Sequence, residues 1–135
     1  MKKDIYIPEV KDVYVAAVLE EHLDGDDVWD IYFINNKDEA LEGVLVTSRG
    51  YVDSEKGIET VSSTLRHKLG NLQPKSAAKI EIIDSQVFEI YNEYWVTFFC
   101  AGKLLERKFI FGPYTIDKNF LEAVPVLTEK GILVK

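Results

Sequence analysis

The sequence predicts an all-β fold: a mostly antiparallel sandwich or barrel with at most one or two short helical turns. Three observations predict it. Short runs rich in Val, Ile, Tyr, Phe and Trp recur along the chain between clusters of Gly, Asn, Asp and Pro. Several of these runs alternate apolar and polar residues with period two, which lines one face of a strand. One pair of runs, Glu93–Ala101 and Leu104–Phe111, flanks Ala101-Gly102-Lys103, a compact hairpin signal.

The elements follow in order. Lys11 to Glu21 is a Val, Tyr, Ala and Leu run, closed by His22-Leu23-Asp24-Gly25-Asp26-Asp27. Val28 to Ile34 points Trp29, Ile31 and Phe33 one way and Asp30 the other. Asn35-Asn36-Lys37-Asp38 is a turn, because Asn and Asp bond to their own backbone and tolerate left-handed conformations. Leu41 to Ser48 is a third strand with Val44 and Val46 on one face, and Arg49-Gly50 breaks or bulges it. Val61, Leu65, Leu69 and Leu72 sit at helix spacing with Ser62-Ser63-Thr64 as a cap. The same residues fit an extended strand, which Gly70 and Pro74 favour by leaving little room for helical turns.

Ala78 to Ile83 places Ile80 and Ile82 inward between Lys79 and Glu81, and Val87 to Ile90 is a short apolar run. On the returning arm of the hairpin Leu105, Arg107, Phe109 and Phe111 share a face. Asp117 to Ala123 reads as one helical turn capped by Asp117, with Phe120 and Leu121 packing down. Gly131 to Val134 closes an edge of the sheet after a Thr128–Gly131 turn.

The chain of 135 residues carries 23 acids against 16 bases, a formal charge of −7, with 47% apolar residues, four prolines and one cysteine. That length and composition predict one globular domain, residues 1–135, large enough to fold without a metal or a disulfide. The acidic balance argues against a groove-binder of nucleic acid, since phosphate recognition wants a basic face. The longest apolar runs, Val13 to Leu19 and Tyr94 to Ala101, fall short of the roughly 20 residues that span a bilayer. The opening Met1-Lys2-Lys3 lacks the apolar run of a signal peptide, so the expectation is a cytoplasmic protein with no membrane partner.

Two stretches carry a resemblance. Phe33 to Val46, with its strand, Asn-rich turn and strand, is similar to the corresponding part of immunoglobulin-like sandwich modules. Leu69 to Ile80 resembles the Leu-x-Pro-x-Ser entry into a later strand of such modules, with Leu72 anchoring the loop and Pro74 stiffening the turn. The disulfide of antibody domains has no counterpart, because Cys100 is the only cysteine. The whole chain also resembles a group of short uncharacterised bacterial proteins, through Leu41–Val46, Ser63–His67, Glu93–Val96 and Lys108–Phe111. Some members carry the label phenylalanyl-tRNA synthetase alpha subunit, which implies at most an accessory role here. A class II synthetase core is much larger, and Arg49, Arg66 and Arg107 lie in no Gly-rich synthetase context.

No pattern of side chains predicts catalysis. Glu20 to Asp30 is dense in carboxylates that suit Ca²⁺, but it lacks the ligand ladder of an EF-hand and reads as a solvated hairpin turn. One Cys and two distant His do not make a zinc site. Cys100, after Phe98 and Phe99, reads as a small buried hydrophobe rather than as the partner of His67 or His22. Phosphate loops and serine elbows are absent. No cofactor is expected.

The remaining feature is aromatic crowding. Alternation sets Tyr94, Val96, Phe98 and Cys100 on one face and Trp95, Thr97 and Phe99 on the other. Either the strand is covered on both sides, or one face carries a partner. The functional expectation is therefore a non-enzymatic protein-interaction module, with Tyr94 and Trp95 as interface anchors for another protein or for a second copy. The alternatives are a small-ligand or Ca²⁺ domain using the acidic hairpin, and an accessory factor in aminoacyl-tRNA synthesis.

Overall fold

The computed structural model describes residues 10–20 and 27–134. Ten strands run through them: β1 (Val13–Glu20), β2 (Val28–Asn35), β3 (Leu41–Ser54), β4 (Gly57–Thr60), β5 (Leu65–Leu72), β6 (Ser76–Ile83), β7 (Tyr91–Cys100), β8 (Lys103–Phe111), β9 (Glu122–Ala123) and β10 (Lys130–Val134). All pair antiparallel, in two sheets. Sheet I has the order β6-β2-β1-β10-β9. In sheet II the order is β4-β3-β7-β8, with β5 beside the first half of β3 and β4 beside its second half. The fold is thus the all-β sandwich that period-two alternation and hairpin chemistry predict.

The core lies between the sheets. From sheet I come Val13, Val15, Ala17, Trp29, Ile31, Phe33, Ile80 and Ile132; from sheet II come Val44, Val46, Leu72, Tyr94, Val96, Phe98, Cys100, Phe109 and Phe111. Phe33 of β2 bridges the layers, with ring centroids 6.1 Å from Phe98 and 6.3 Å from Phe109. Such tilted and edge-on pairs add to simple area burial because the positive ring edge meets the negative face.

The turns obey local chemistry. Asn35 is fully buried; its side-chain amide donates to the carbonyls of Glu39 and Gln73, and its Oδ1 accepts the Lys37 N–H. One asparagine therefore organises both the β2–β3 turn and the facing β5–β6 turn. The β7–β8 hairpin pairs Cys100 with Lys103, leaving Ala101 and Gly102 at φ of 51° and 76°. Two left-handed residues make a tight turn whose twist matches that of its strands.

Several sequence expectations are corrected. Arg49-Gly50 does not break β3, which runs on to Ser54. Gly50 instead lies close under Ile90: a Cβ there would lie 2.5 Å from Ile90 Cδ1, and that side chain would have to shift. The stretch 61–72 is a strand from Leu65 onward, as its extended reading had it. Val87–Ile90 is no strand, because Asp84 accepts the Gln86 N–H and caps a 3-10 turn over Ser85–Val87. Asp117 caps a second such turn, but Phe120 and Leu121 are exposed rather than packed down. The terminal strand β10 is not an edge, since β9 pairs outside it.

The most consequential correction concerns β6. A register shift between Ile31 and Tyr32 makes a bulge around Ile80, so Glu81 pairs with inward-facing Ile31 and Ile82 pairs with outward-facing Asp30. Ile80 stays inside, Ile82 turns to solvent, and Glu81 turns into the sandwich. The two sheets also differ outside. On sheet I, Val124 and Leu127 cover Tyr14, Ala16, Tyr32, Ile34 and Leu133. Among the described residues no helix is long and apolar enough to cross a membrane.

Candidate functional site

Strand β7 carries both residues singled out from the sequence, and it sends them to opposite sides. Tyr94 faces inward at 1% exposure, edge-on to Phe111 with centroids 6.0 Å apart. Its ring is closed off from solvent, so it offers no surface for docking. Trp95 faces outward. Adjacent strand residues point apart by construction, so the pair belongs to two different environments.

Behind Tyr94 lies a polar cluster. Its hydroxyl donates to Glu81 Oε2 at 2.7 Å, and Ser48 Oγ donates to Glu81 Oε1 at 3.3 Å. His67 Nε2 lies 3.0 Å from Ser48 Oγ and 3.4 Å from Glu81 Oε1. In the bond between Ser48 Oγ and His67 Nε2 the imidazole tautomer sets which of the two donates. Glu81 also sits at that same nitrogen, whereas an orienting carboxylate in a catalytic triad binds the other one. The cluster joins β3, β5 and β7 of sheet II to β6 of sheet I beside a cavity of about 150 Å³. Burial, with the Glu81 charge and hydrogen bond behind it, pushes the Tyr94 phenol far above its ordinary range.

In front of Tyr94, the outer face of sheet II is apolar and open. Leu45 is 50% exposed, Trp95 39%, Phe99 47%, Leu104 65% and Ile110 39%. Register puts Leu45 opposite Thr97, Phe99 opposite Leu104 and Ile110 opposite Glu93, so all project from one side. Trp95 is held by its neighbours: Nε1 donates to Glu106 Oε2 at 3.2 Å, and Lys108 Nζ sits 4.5 Å from the ring centroid. Between Trp95 and Arg66 runs a groove of about 310 Å³, lined by Leu45, Thr47, Arg66, Trp95, Thr97 and Glu106. The other half of the face is internally paired. Arg49 donates to Glu93 at 3.0 Å and lies over Tyr51, which stacks on Tyr91 with centroids 5.0 Å apart.

Other candidates fall elsewhere. Of the acidic stretch Glu20 to Asp30, the part from Glu21 to Asp26, with His22, lies outside the described residues. Asp27 pairs with Lys118 at 2.5 Å and Asp30 with Lys79 at 3.3 Å. No group of three metal-ligating side chains occurs among the described residues. Cys100 is buried, and burial raises its thiol pKa further than the nearby Glu39 does. The partners of His67 are Ser48 and Glu81, not Cys100.

Sequence reasoning missed the Ser48–His67–Glu81 cluster and the part played by Arg66. Strict alternation sends Glu81 outward, and only the bulge reverses it. Arg66 carries a weak signal, as one of two cations, with Lys68, that alternate with the apolar side of an amphipathic strand. Compared with protein-family models, curated proteins and solved structures, this chain matches none.

Proposed function

We propose that this protein is a non-enzymatic protein-interaction module that docks a partner on the outer face of sheet II. One observation carries the reading: five large apolar side chains, Leu45, Trp95, Phe99, Leu104 and Ile110, stand exposed on one sheet face. Exposed apolar side chains gathered on one face mark interaction surfaces more often than scattered ones do. The contrast with sheet I supports it, since Val124 and Leu127 cover that sheet's outer face. A non-catalytic role is supported by the Ser48–His67–Glu81 arrangement, in which the carboxylate sits at the same imidazole nitrogen as the serine rather than at the other one. The pairing of β2 with β6 and of β3 with β7 supports the immunoglobulin-like form of the sandwich. A single buried thiol supports a reducing, cytoplasmic setting.

The test is affinity capture from lysate of the source cells, comparing the wild-type chain with Trp95→Asp and Phe99→Ser. A protein retained by wild type and lost by both variants supports the module. Identical captured sets for all three remove the outer face from consideration. A synthetase subunit in the Trp95-dependent set would support the accessory role that the sequence resemblance implies.

A further inference from the structure

We infer that the groove beside Trp95 takes a short acidic segment of a partner protein, with an apolar side chain against the indole and carboxylates against Arg66 and Lys68. This names the partner chemistry of the face proposed above and rests on that reading. The register defines two rows across sheet II: Arg66, Thr47, Trp95 and Lys108 in one, Lys68, Leu45, Thr97 and Glu106 in the next. The rows hold three cations and one anion. Two of the charged groups are already engaged, Glu106 by the Trp95 Nε1–H and Lys108 over the indole. Arg66 and Lys68 are exposed, and among the described residues neither has an ion-pair partner. In a chain of net charge −7 with 23 acids, two unpaired cations flanking an apolar groove are a local inversion of sign. A carboxylate meets Arg66 in a planar, charge-assisted pair, and the apolar floor of Leu45 and Trp95 takes the side chain beside it.

The same rows weigh against a second copy. A two-fold axis along the strands sets Lys68 opposite Glu106 but Arg66 opposite Lys108, and one across the strands sets β5 on β5, cation on cation. Nucleic acid is disfavoured because three cations release few counterions against the repulsion of the whole chain. The Arg49–Glu93 pair beyond the rows is neutral, and Glu42, opposite Phe99, closes the far end with negative charge. Across the sheet Glu106, the anion of the two rows, stands on β8, so the carboxylates of the partner lie at the β5 side with Arg66 and Lys68.

Random heptapeptides displayed on phage are selected on the immobilised full chain. Enriched sequences are then synthesised and titrated against wild type, Arg66→Glu, Trp95→Ala and the hairpin control Lys103→Glu, each first shown to melt as wild type does. The expected peptides carry Asp or Glu beside an aromatic or aliphatic residue. Their affinity falls about tenfold or more in Arg66→Glu, is lost in Trp95→Ala, weakens with added salt, and is unchanged in Lys103→Glu. Peptides that need Trp95 but are neutral or basic, or that ignore Arg66→Glu, overturn the acidic partner and leave the docking face standing. Failure to enrich any Trp95-dependent peptide overturns both. Oligothymidine binding lost in Arg66→Glu, or a dimer in sedimentation broken by Trp95→Ala, overturns the inference in favour of nucleic acid or of a second copy.

Discussion

Tyr94 of sheet II donates its hydroxyl proton to Glu81 of sheet I at 2.7 Å. This bond crosses the sandwich and gathers Ser48 and His67 on the same carboxylate, so the layers are tied by polar as well as apolar contact. Tyr94→Phe leaves the ring packing intact and removes only the bond, costing about 1.5–3 kcal/mol in urea denaturation, as expected for a hydrogen bond to a charged group. The pH response follows from the raised phenol. The unfolded chain ionises Tyr94 near pH 10, whereas the folded chain keeps it neutral above that. The contribution is therefore complete below about pH 10 and lost as pH rises beyond it. Urea midpoints measured upward from pH 8 fall more steeply for wild type than for Tyr94→Phe; equal slopes would exclude this account.

Trp95 and Phe98 are both large aromatics on β7, and their removal has unequal consequences. Phe98→Ala opens a cavity against Phe33 and costs about 3–5 kcal/mol. Trp95→Ala removes an exposed ring whose cation and hydrogen-bond contacts are worth about 1 kcal/mol, so its melting curve stays close to wild type. A collapse of the Trp95→Ala protein would mean that the outer face is structural.

Ala101 bears a Cβ in a left-handed conformation, at φ 51°, within a two-residue turn. Ala101→Asn relieves this, since Asn adopts that region more readily, and raises stability by about 0.5–1 kcal/mol. Calorimetry reads it as a higher Tm, with no change in the Trp95 surroundings.

Gly131 sits where β10 meets β1, opposite Val18, and an added Cβ would lie 2.5 Å from the Ala17 carbonyl oxygen. That atom belongs to the backbone and cannot rotate away. Gly131→Ala forces the strands apart and costs about 1–3 kcal/mol, with hydrogen exchange accelerated in β10 before β7. Unchanged protection of β10 would count against the close contact.

Residue order alone determined much of this protein. Period-two alternation in β2, β7 and β8 groups Trp29, Ile31 and Phe33 on one face, Tyr94, Val96 and Phe98 on another and Phe109 with Phe111 on a third, because successive strand side chains must face apart. It leaves open which face of β7 is buried, and so offers Tyr94 as an interface anchor. The Asn35 turn and the Ala101-Gly102 hairpin are legible for the same kind of reason, since their chemistry acts within a few residues. The aromatic strand is legible too, including the choice it poses between a covered face and a docking face.

Tertiary structure alone decided which face of the strand is covered. Whether Trp95 is exposed depends on where the segment after Phe120 packs, and it lies on sheet I, placing Val124 and Leu127 far from sheet II in the fold. The Glu81 cluster depends on one bulge opposite Ile31, a mismatch between two strands that neither strand encodes by itself. Arg66 becomes a groove wall only because β5 pairs beside β3, bringing together residues 66, 47 and 95. Faces follow from the local period of the chain; what stands on each face follows from long-range pairing, which no local pattern carries.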